Sequence, residues 1–255
     1  MNEAHLITAA VLVIGDEILS GRTQDVNVAT IAKFLAPLGI DLAEARFVRD
    51  VEMEIVTAVN ALRTRYNYVF TTGGIGPTHD DITADSIGAA FGLAVKPHPE
   101  AMALLAARYK PGDFNERRQR MARVPEGASL IKNPVSVAPG FQIDNVFVLA
   151  GVPKIMAAML EDVGPRLVKA VAVIVRSVTV RLVEGRIAEG LAAIQKSHPA
   201  VSIGSYPFFA DAGGPAGTTL VIRGRDSTEV ETAEREILQL ASSHGVTPEK
   251  TGDSR

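Results

Sequence analysis

The sequence predicts an α/β protein, in which a mostly parallel sheet flanked by helices is followed by a small α+β domain. Over the first two-thirds of the chain, short apolar runs alternate with stretches that carry apolar residues at helical spacing, which is the pattern of βαβ units. Further along, the order changes to strand, helix, strand, strand and helix, which is typical of a split βαβ domain. These two observations predict the fold class.

The first half of the chain carries the clearest alternation. Residues 8–14 (TAAVLVI) are continuously apolar, as expected of a strand buried on both faces. A helix is predicted over residues 28–38, with Asp25 or Asn27 as its N-cap. The other elements predicted in this half are strands over 42–48 and 68–72 and helices over 52–65 and 82–91.

The middle of the chain is less regular. The elements predicted there are helices over 99–109 and 114–123, a loop over 133–140, a hairpin of 141–143 with 146–150, and a helix from 153 to 163. The second of these helices is basic, with arginines at 117, 118, 120 and 123. A solvated surface is the ordinary explanation of such a cluster.

The change of pattern predicts a domain boundary near residues 168–171. We therefore expect a first domain over residues 1–170, a small α+β domain over 171–246 and a disordered tail over 247–255. The elements predicted in the small domain are strands over 173–182, 201–206 and 218–224 and helices over 186–197 and 228–242.

Composition excludes several classes of function. The formal net charge of −3 gives no electrostatic basis for nucleic-acid binding, and the absence of cysteine excludes disulfides and thiolate chemistry. No apolar run approaches the ~18 residues of a membrane helix, and no signal peptide is recognisable at the amino terminus. We therefore expect a cytoplasmic protein with no membrane or nucleic-acid partner.

A glycine-rich turn follows the strand predicted over 68–72. It contains Gly73, Gly74 and Gly76, followed by Asp80 and Asp81. Such a turn before a helix can present backbone N–H groups to a phosphate. The alternative is a simple tight turn, in which Thr78, Asp80 or Asp81 caps the helix. The spacing matches neither a Walker loop nor the dinucleotide fingerprint.

Acidic residues follow all three strands of the first half. Gly15, Asp16 and Glu17 follow the first strand, Asp50 follows the second, and Asp80 and Asp81 follow the third. The carboxyl ends of parallel strands meet at one edge, where ligands bind. Crowded carboxylates raise one another's pKa, and a divalent cation removes that cost. We therefore expect a divalent metal such as Mg²⁺, Co²⁺ or Mn²⁺, with the predicted ligands Glu17, Asp50, Asp80 and Asp81.

Several ordered motifs resemble a known family. They are GDEILSG at 15–21, Asn27, TGGIGPTHDDIT at 72–83, Asn133 with APGF at 138–141, and GVP at 151–153. They resemble the competence/damage-inducible protein A (CinA) family and, over residues 7–170, the molybdopterin-binding (MoaB/MogA-like) domain of molybdenum-cofactor biosynthesis proteins and the amino-terminal domain of eukaryotic FAD synthases. Ser136 and Ala150 depart from the family, which often has Gly and Pro there.

The resemblance implies a three-layer, Rossmann-like αβα fold that binds a phosphorylated pterin or nucleotide, and a homo-oligomer. Full-length CinA proteins also carry a carboxy-terminal nicotinamide mononucleotide deamidase domain, which this sequence does not reach, so that activity is not expected. Two chemistries occur in the family: metal-dependent hydrolysis of nucleotide pyrophosphates such as ADP-ribose or FAD, and molybdopterin adenylylation. The aspartates that matter in the adenylylating branch match Asp50 and Asp81.

The function expected from the sequence is therefore that of a nucleotide pyrophosphatase with Asp50 and Asp81 as catalytic residues. A non-catalytic molybdopterin- or nucleotide-binding module and an adenylylating enzyme are the alternatives. The residues predicted to bind the substrate and its phosphates are Gly15, Ser20, Asn27, Thr72, Gly73, Gly74, Gly76 and Thr78.

Overall fold

The computed structural model of the protein describes residues 6–110, 112–209 and 216–251. Its contacts divide the chain into two compact units, Met1–Ala170 and Val171–Arg255. Among the described residues, no helix is both long enough and apolar enough to cross a bilayer.

The first unit contains eight strands and seven helices among its described residues. The strands are β1 (Thr8–Ile14), β2 (Asp41–Val48), β3 (Tyr68–Thr72), β4 (Val95–Pro97), β5 (Arg123–Pro125), β6 (Ser129–Ile131), β7 (Gly140–Ile143) and β8 (Val146–Leu149). The helices are α1 (Asp16–Leu19), α2 (Asn27–Leu35), α3 (Glu52–Arg63), α4 (Thr83–Phe91), α5 (Pro99–Arg108), α6 (Glu116–Gln119) and α7 (Pro153–Val163).

Six of these strands form one sheet in the order β2-β1-β3-β8-β7-β6. The pairs from β2 to β8 are parallel, and β7 and β6 complete the sheet with antiparallel pairs. The register pairs Val13 with both Phe47 and Thr72, and Thr72 with Leu149. The carboxyl ends of β1, β2, β3 and β8 therefore lie along one edge, as the sequence predicted for the first three of these strands.

Helices cover both faces of this sheet. On one face, Leu12 and Ile14 of β1 pack in a core with Ile55 of α3 and Ile87 of α4. On the other face, alternate β1 residues belong to a second core, which takes its helical members from α2 and α7. This two-sided burial explains why β1 is apolar at every position. The predicted three-layer α/β fold is confirmed.

One local prediction for the first unit was wrong. The basic helix expected over 114–123 is only the short α6, followed by a 3₁₀ turn over Arg120–Ala122 and by β5. Strand pairing between β5 and β4 takes over where Pro125 would stop a helix anyway.

The second unit contains β9 (Ile174–Val180), α8 (Ala188–Ser197), β10 (Ser202–Phe208), β11 (Gly217–Gly224), α9 (Ser227–Ser243) and β12 (Glu249–Thr251). Its strands form an antiparallel sheet in the order β10-β11-β9-β12, the arrangement of a ferredoxin-like split βαβ domain. Apolar residues of β9 and β11 pack against α8 and α9.

The tail prediction needs a correction. We expected disorder over 247–255, but residues 249–251 form β12, which pairs with β9. The short polar segment was misread because its pairing partner lies about 70 residues earlier in the chain, beyond the reach of any local pattern. Residues 252–255 lie outside the described part of the chain.

Candidate functional site

The candidate site lies at the carboxyl edge of the first unit's sheet. The chain leaves β1 at Gly15, β2 at Arg49, β3 at Gly73 and β8 at Ala150. A hydrogen bond from the Gly15 N–H to the Val48 carbonyl (3.2 Å) joins the ends of β1 and β2, and one from the Gly73 N–H to the Leu149 carbonyl (3.3 Å) joins β3 and β8. The turns after these strands are therefore neighbours.

The turn after β3, residues 73–82, which we call the glycine loop, requires glycine at its start. Gly73 and Gly74 have φ angles of +104° and +66°, a region that other residues rarely occupy. A Cβ on Gly73 would lie 2.1 Å from the Ile14 carbonyl oxygen, and one on Gly74 would lie 2.2 Å from the Thr83 hydroxyl. The Thr83 hydroxyl and N–H donate to the carbonyls of Gly73 (2.9 Å) and Gly74 (3.0 Å), which fixes the loop on α4.

Asp81 shapes the second half of the glycine loop. Its carboxylate accepts hydrogen bonds from the Thr78 N–H (2.7 Å) and from the Thr78 hydroxyl. A Cβ on Gly76 would lie 2.6 Å from the same carboxylate oxygen, so the loop backbone passes close to it. No side chain in the described part of the protein caps α4, and the alternative that Thr78, Asp80 or Asp81 serves as its helix cap is therefore not observed.

Asp50 lies at the centre of a group of acidic side chains. One of its oxygens accepts the Asp16 N–H at 3.0 Å. Burial raises the pKa of the Asp50 carboxyl, and the negative charges of Glu17, Asp16 and Asp80 raise it further, against the lowering effect of that hydrogen bond. The turns after β1, β2 and β3 therefore place their acidic residues close enough to interact. Arg49 offsets part of this charge, since its Nε lies 3.2 Å from an Asp16 carboxylate oxygen.

The predicted metal ligands, as the structure places them, do not form a complete coordination site. Within the described residues, no three histidine, aspartate or glutamate side chains converge closely enough to hold an ion. The donors at this edge are nevertheless carboxylates, and burial together with the charges of Glu17, Asp16 and Asp80 raises the pKa of Asp50. Mg²⁺ commonly binds through one or two carboxylates, with water and substrate phosphates completing its shell. These residues fit an ion of that kind, and the assignment of Glu17, Asp50, Asp80 and Asp81 as ligands stays a prediction.

The other predicted ligand residues are placed differently from one another. Ser20 is exposed, and its hydroxyl donates to the Glu17 carbonyl at 3.2 Å. Asn27 is buried, and its amide donates to the Gly151 carbonyl at 2.8 Å, which ties α2 to the turn after β8. Thr72 is also buried, and neither its hydroxyl nor the Asn27 side-chain oxygen has a hydrogen-bond partner among the described residues. Gly15 lies against Glu17, whose carboxylate a Cβ at position 15 would meet at 2.7 Å.

A pocket beside the glycine loop contains residues that the sequence did not single out for the site. Its volume is about 370 Å³, including space open to solvent. It is lined by Gly74, Ile75, Gly76, Asp81, Ala84, Asp85, Arg120, Met121, Arg123, Pro139 and Phe141. Arg123 pairs with both Asp85 oxygens, at 2.7 and 3.2 Å. The basic residues near position 120 are the signal available in the sequence, but their pattern predicts a solvated surface.

The loop that supplies Pro139 to this pocket is strained. Val137 has a φ angle of +72°, which is exceptional for a β-branched residue. Buried Asn133 holds this geometry: its amide donates to the Ser136 hydroxyl (2.6 Å) and the Ala138 carbonyl (2.7 Å), while its oxygen accepts the Val135 and Ser136 N–H groups at 3.1 Å. Backbone strain that is held in place in this way is concentrated at functional sites.

Comparison with known proteins identifies what each unit resembles. Residues 10–169 match the family described as "Probable molybdopterin binding domain", and residues 172–250 match "FAD synthase, middle domain". A CinA-like protein of Syntrophotalea carbinolica is 36% identical over 168 residues, which cover 63% of this chain and 41% of that protein. The chain thus spans less than half the length of this relative.

Two further comparisons cover more of the relative's length. A protein of Aeropyrum pernix is 32% identical over 237 residues, which cover 89% of this chain and 88% of that protein. The crystal structure of a CinA protein of unknown function from Thermoplasma acidophilum has 33% identity and a TM-score of 0.60, covering 63% of this chain and 98% of that chain. The structural likeness therefore concerns the first unit, and the alignment with the Aeropyrum pernix protein extends into the second.

Proposed function

The chain belongs to the molybdopterin-binding domain family, as a CinA-like member, and from that membership we propose that it is a divalent-metal-dependent nucleotide pyrophosphatase. Its substrate would be a dinucleotide-like molecule of the ADP-ribose or FAD type, bound at the carboxyl edge of the first unit's sheet. Membership supports a pterin or nucleotide ligand. The hydrolytic reaction is the part that we propose.

The observation that carries the proposal is the charge around Asp50. Burial, together with the carboxylates of Glu17, Asp16 and Asp80, raises the pKa of the Asp50 carboxyl at the ends of three strands, next to the glycine loop. If this edge of the sheet had only a structural role, replacing one of these carboxylates with a neutral residue would increase the stability of the protein. A cation together with a phosphate satisfies both features, because the cation neutralises the carboxylates while backbone N–H groups can bind the phosphate oxygens.

The proposed roles follow from this arrangement. A bound divalent ion would polarise a phosphoryl oxygen and lower the pKa of a water molecule. Asp50 and Asp81 would hold that ion, assisted by Glu17 or Asp80. Gly74 and Gly76 would present backbone N–H groups to the phosphates, whereas the Gly73 N–H already donates to the Leu149 carbonyl. To donate to the substrate, the hydroxyls of Ser20 and Thr78 would give up their hydrogen bonds to the Glu17 carbonyl and the Asp81 carboxylate. In the reaction, water adds to one phosphorus, the bridging P–O bond breaks, and the proton that water loses passes to a carboxylate.

A turnover screen tests the proposal. Purified protein is incubated with ADP-ribose, FAD, NAD and diadenosine polyphosphates, with Mg²⁺, Co²⁺, Mn²⁺ or EDTA, and the products are separated by chromatography. We expect AMP to form from at least one substrate, only with metal, and not with the Asp81→Asn variant. Asparagine keeps an oxygen that can accept the Thr78 N–H, so this variant removes the charge while preserving the loop. Metal-dependent activity in Asp81→Asn would reject the role given to Asp81, and a folded wild-type protein with no turnover would reject hydrolysis.

A binding module without turnover is the second candidate. It is favoured by the lack of three converging metal ligands among the described residues and by the use of the Asp81 carboxylate within its own loop. This candidate predicts tight binding of molybdopterin or a nucleotide with or without metal, and no product. An adenylylating enzyme would instead form an adenylylated pterin when given ATP and molybdopterin, so the same chromatography separates the three functions.

Two further expectations stay proposals. Self-association, expected from the resemblance, is tested by light scattering of the eluted protein over a range of concentrations. The expected cytoplasmic location is tested by fractionation of the source cells with antibodies against the protein.

A further inference from the structure

The pocket beside the glycine loop contains four charged side chains, and three of them have partners within the protein. Arg123 and Asp85 pair with each other. Asp81 accepts two hydrogen bonds from Thr78. Arg120 is half-buried, and its guanidinium has no hydrogen bond or ion pair with any described residue. It is therefore the one charged group of the pocket, within the described chain, whose donors are not used.

Arg120 combines an unpartnered guanidinium with a place in the pocket, and its neighbours Arg117 and Arg118 do not share this combination. Arg118 donates to the Asp113 carbonyl and lies over the Tyr109 ring at 4.3 Å. Arg117 is exposed on α6 and does not line the pocket. The segment therefore turns one arginine to an internal partner, one to solvent and one towards the pocket.

A guanidinium has five N–H donors, and those of Arg120 are free to bind an anion because no described residue accepts them. A phosphate would satisfy them, since guanidinium and phosphate form paired, charge-assisted hydrogen bonds. Gly74, Ile75 and Gly76 of the glycine loop also line the pocket. A phosphate in this pocket would therefore lie between an unpartnered guanidinium and the glycine loop.

From these observations we propose that Arg120 is a positioning residue that binds one phosphate of the substrate in the pocket beside the glycine loop. The inference rests on the proposed function and narrows its substrate class. The glycine loop belongs to both regions: its Asp80 raises the pKa of Asp50, while its Gly74–Gly76 segment lines the arginine pocket. Substrates with two linked phosphates can occupy both regions, whereas those with a single phosphate cannot.

The test uses phosphate ligands that need no turnover. Binding of inorganic pyrophosphate and of ADP is measured by calorimetry, in the presence of Mg²⁺, for the wild type and for Arg120→Ala, Arg120→Lys and Arg117→Ala. We expect Arg120→Ala to weaken binding of both ligands by about 10- to 100-fold, and Arg120→Lys to recover part of the loss. Arg117→Ala removes the same charge from the same segment and should change binding by less than about twofold.

Kinetics separates positioning from a structural effect. With a diphosphate substrate, Arg120→Ala should raise KM by about the same factor while changing kcat much less, and Arg120→Lys should lie between. Thermal denaturation and circular dichroism establish that each variant is folded.

The outcomes distinguish this inference from the proposed function. If the wild type turns over no substrate but binds pyrophosphate through Arg120, hydrolysis is rejected and the phosphate site stands. If the wild type hydrolyses ADP-ribose and Arg120→Ala retains its KM, the function stands and the site is overturned. Failure of the wild type to bind pyrophosphate or ADP, or equal losses in Arg120→Ala and Arg117→Ala, would also overturn it.

Discussion

The two units of this protein each contain a cluster of ionisable side chains, and the two clusters are built in opposite ways. In the first unit, Asp50 lies among other carboxylates, and its pKa is raised by burial and by their charges. In the second unit, buried His198 lies 2.9 Å from a Glu229 oxygen and 3.2 Å from a Glu236 oxygen. Its pKa is also raised, chiefly by the hydrogen bond with Glu229 and then by Glu236, against the opposing effect of burial.

The same direction of shift has opposite meanings for an acid and a base. A raised carboxyl pKa means that the folded protein disfavours the charged form of Asp50, so the acidic edge lowers stability at neutral pH. A raised imidazole pKa means that folding favours protonated His198, so this cluster stabilises the folded state. A cluster that compensates its own charges needs no ligand, whereas one that does not is a candidate binding site. We therefore propose that a ligand binds at the acidic edge and that His198 has a structural role.

The largest expected effect comes from Asp50→Asn. We expect activity to fall by about 100-fold or more, since a metal ligand is lost, while the melting temperature rises because a disfavoured charge is removed. Asparagine can still accept the Asp16 N–H, so the turn is preserved. Pyrophosphatase assays and calorimetry measure the two effects. Glu161→Gln, which removes an exposed charge on α7, is the control and should change neither.

The stability gain of Asp50→Asn has a defined pH dependence. Because the folded pKa is raised, the cost of charged Asp50 is fully present above that pKa and disappears as pH falls toward the unfolded value of about 3.9. The gain should therefore be largest at neutral pH and vanish in acid. Saturating Mg²⁺ should stabilise the wild type more than the variant. A variant that melts below the wild type at neutral pH would show that Asp50 is structural, as His198 is.

The second effect comes from His198→Gln, which removes the compensating charge from the small domain. We expect a loss of about 1.5–3 kcal/mol in its unfolding free energy, the range for hydrogen bonds to charged groups, and no change in activity. The contribution of His198 is fully present below the unfolded pKa of about 6.5 and is lost as pH rises through the raised folded pKa. The variant and the wild type should therefore differ more at pH 6 than at pH 9, as measured by urea denaturation.

Glu231→Gln is the matched control for the second prediction, because Glu231 is exposed on the same helix as Glu229 and Glu236. It should leave the stability unchanged at both pH values. If His198→Gln were as destabilising at pH 9 as at pH 6, the histidine would contribute through packing alone, and the comparison between the two clusters would fail.

The sequence predicted the acidic edge but not the His198 cluster, and the reason is physical. Asp50 and Asp80 both follow predicted strands, and the register of a parallel sheet brings strand ends together whatever their separation in sequence. His198 meets Glu229 and Glu236 across α8 and α9, which are joined through two strands, and nothing in the local pattern links them. For the same reason the sequence did not predict that Arg123 pairs with Asp85. It therefore could not separate Arg123, which has a partner, from Arg120, which has none among the described residues.

The smallest expected effect tests whether the carboxylates of the acidic edge carry more negative charge than the nearby positive groups neutralise. Arg49 contacts Asp16 at 3.2 Å, with both side chains more than half exposed, so Arg49→Gln should change stability by less than about 1 kcal/mol. It removes a positive charge near the proposed ion, however, and should tighten Mg²⁺ binding by about two- to fivefold at low ionic strength, with the difference shrinking in high salt. Titration calorimetry with Mg²⁺ alone measures this, with Arg108→Gln, an exposed arginine of α5, as the control. Unchanged or weaker binding in Arg49→Gln would mean that Mg²⁺ is not held by the carboxylates around Asp50, because a cation bound there must sense the loss of a neighbouring positive charge.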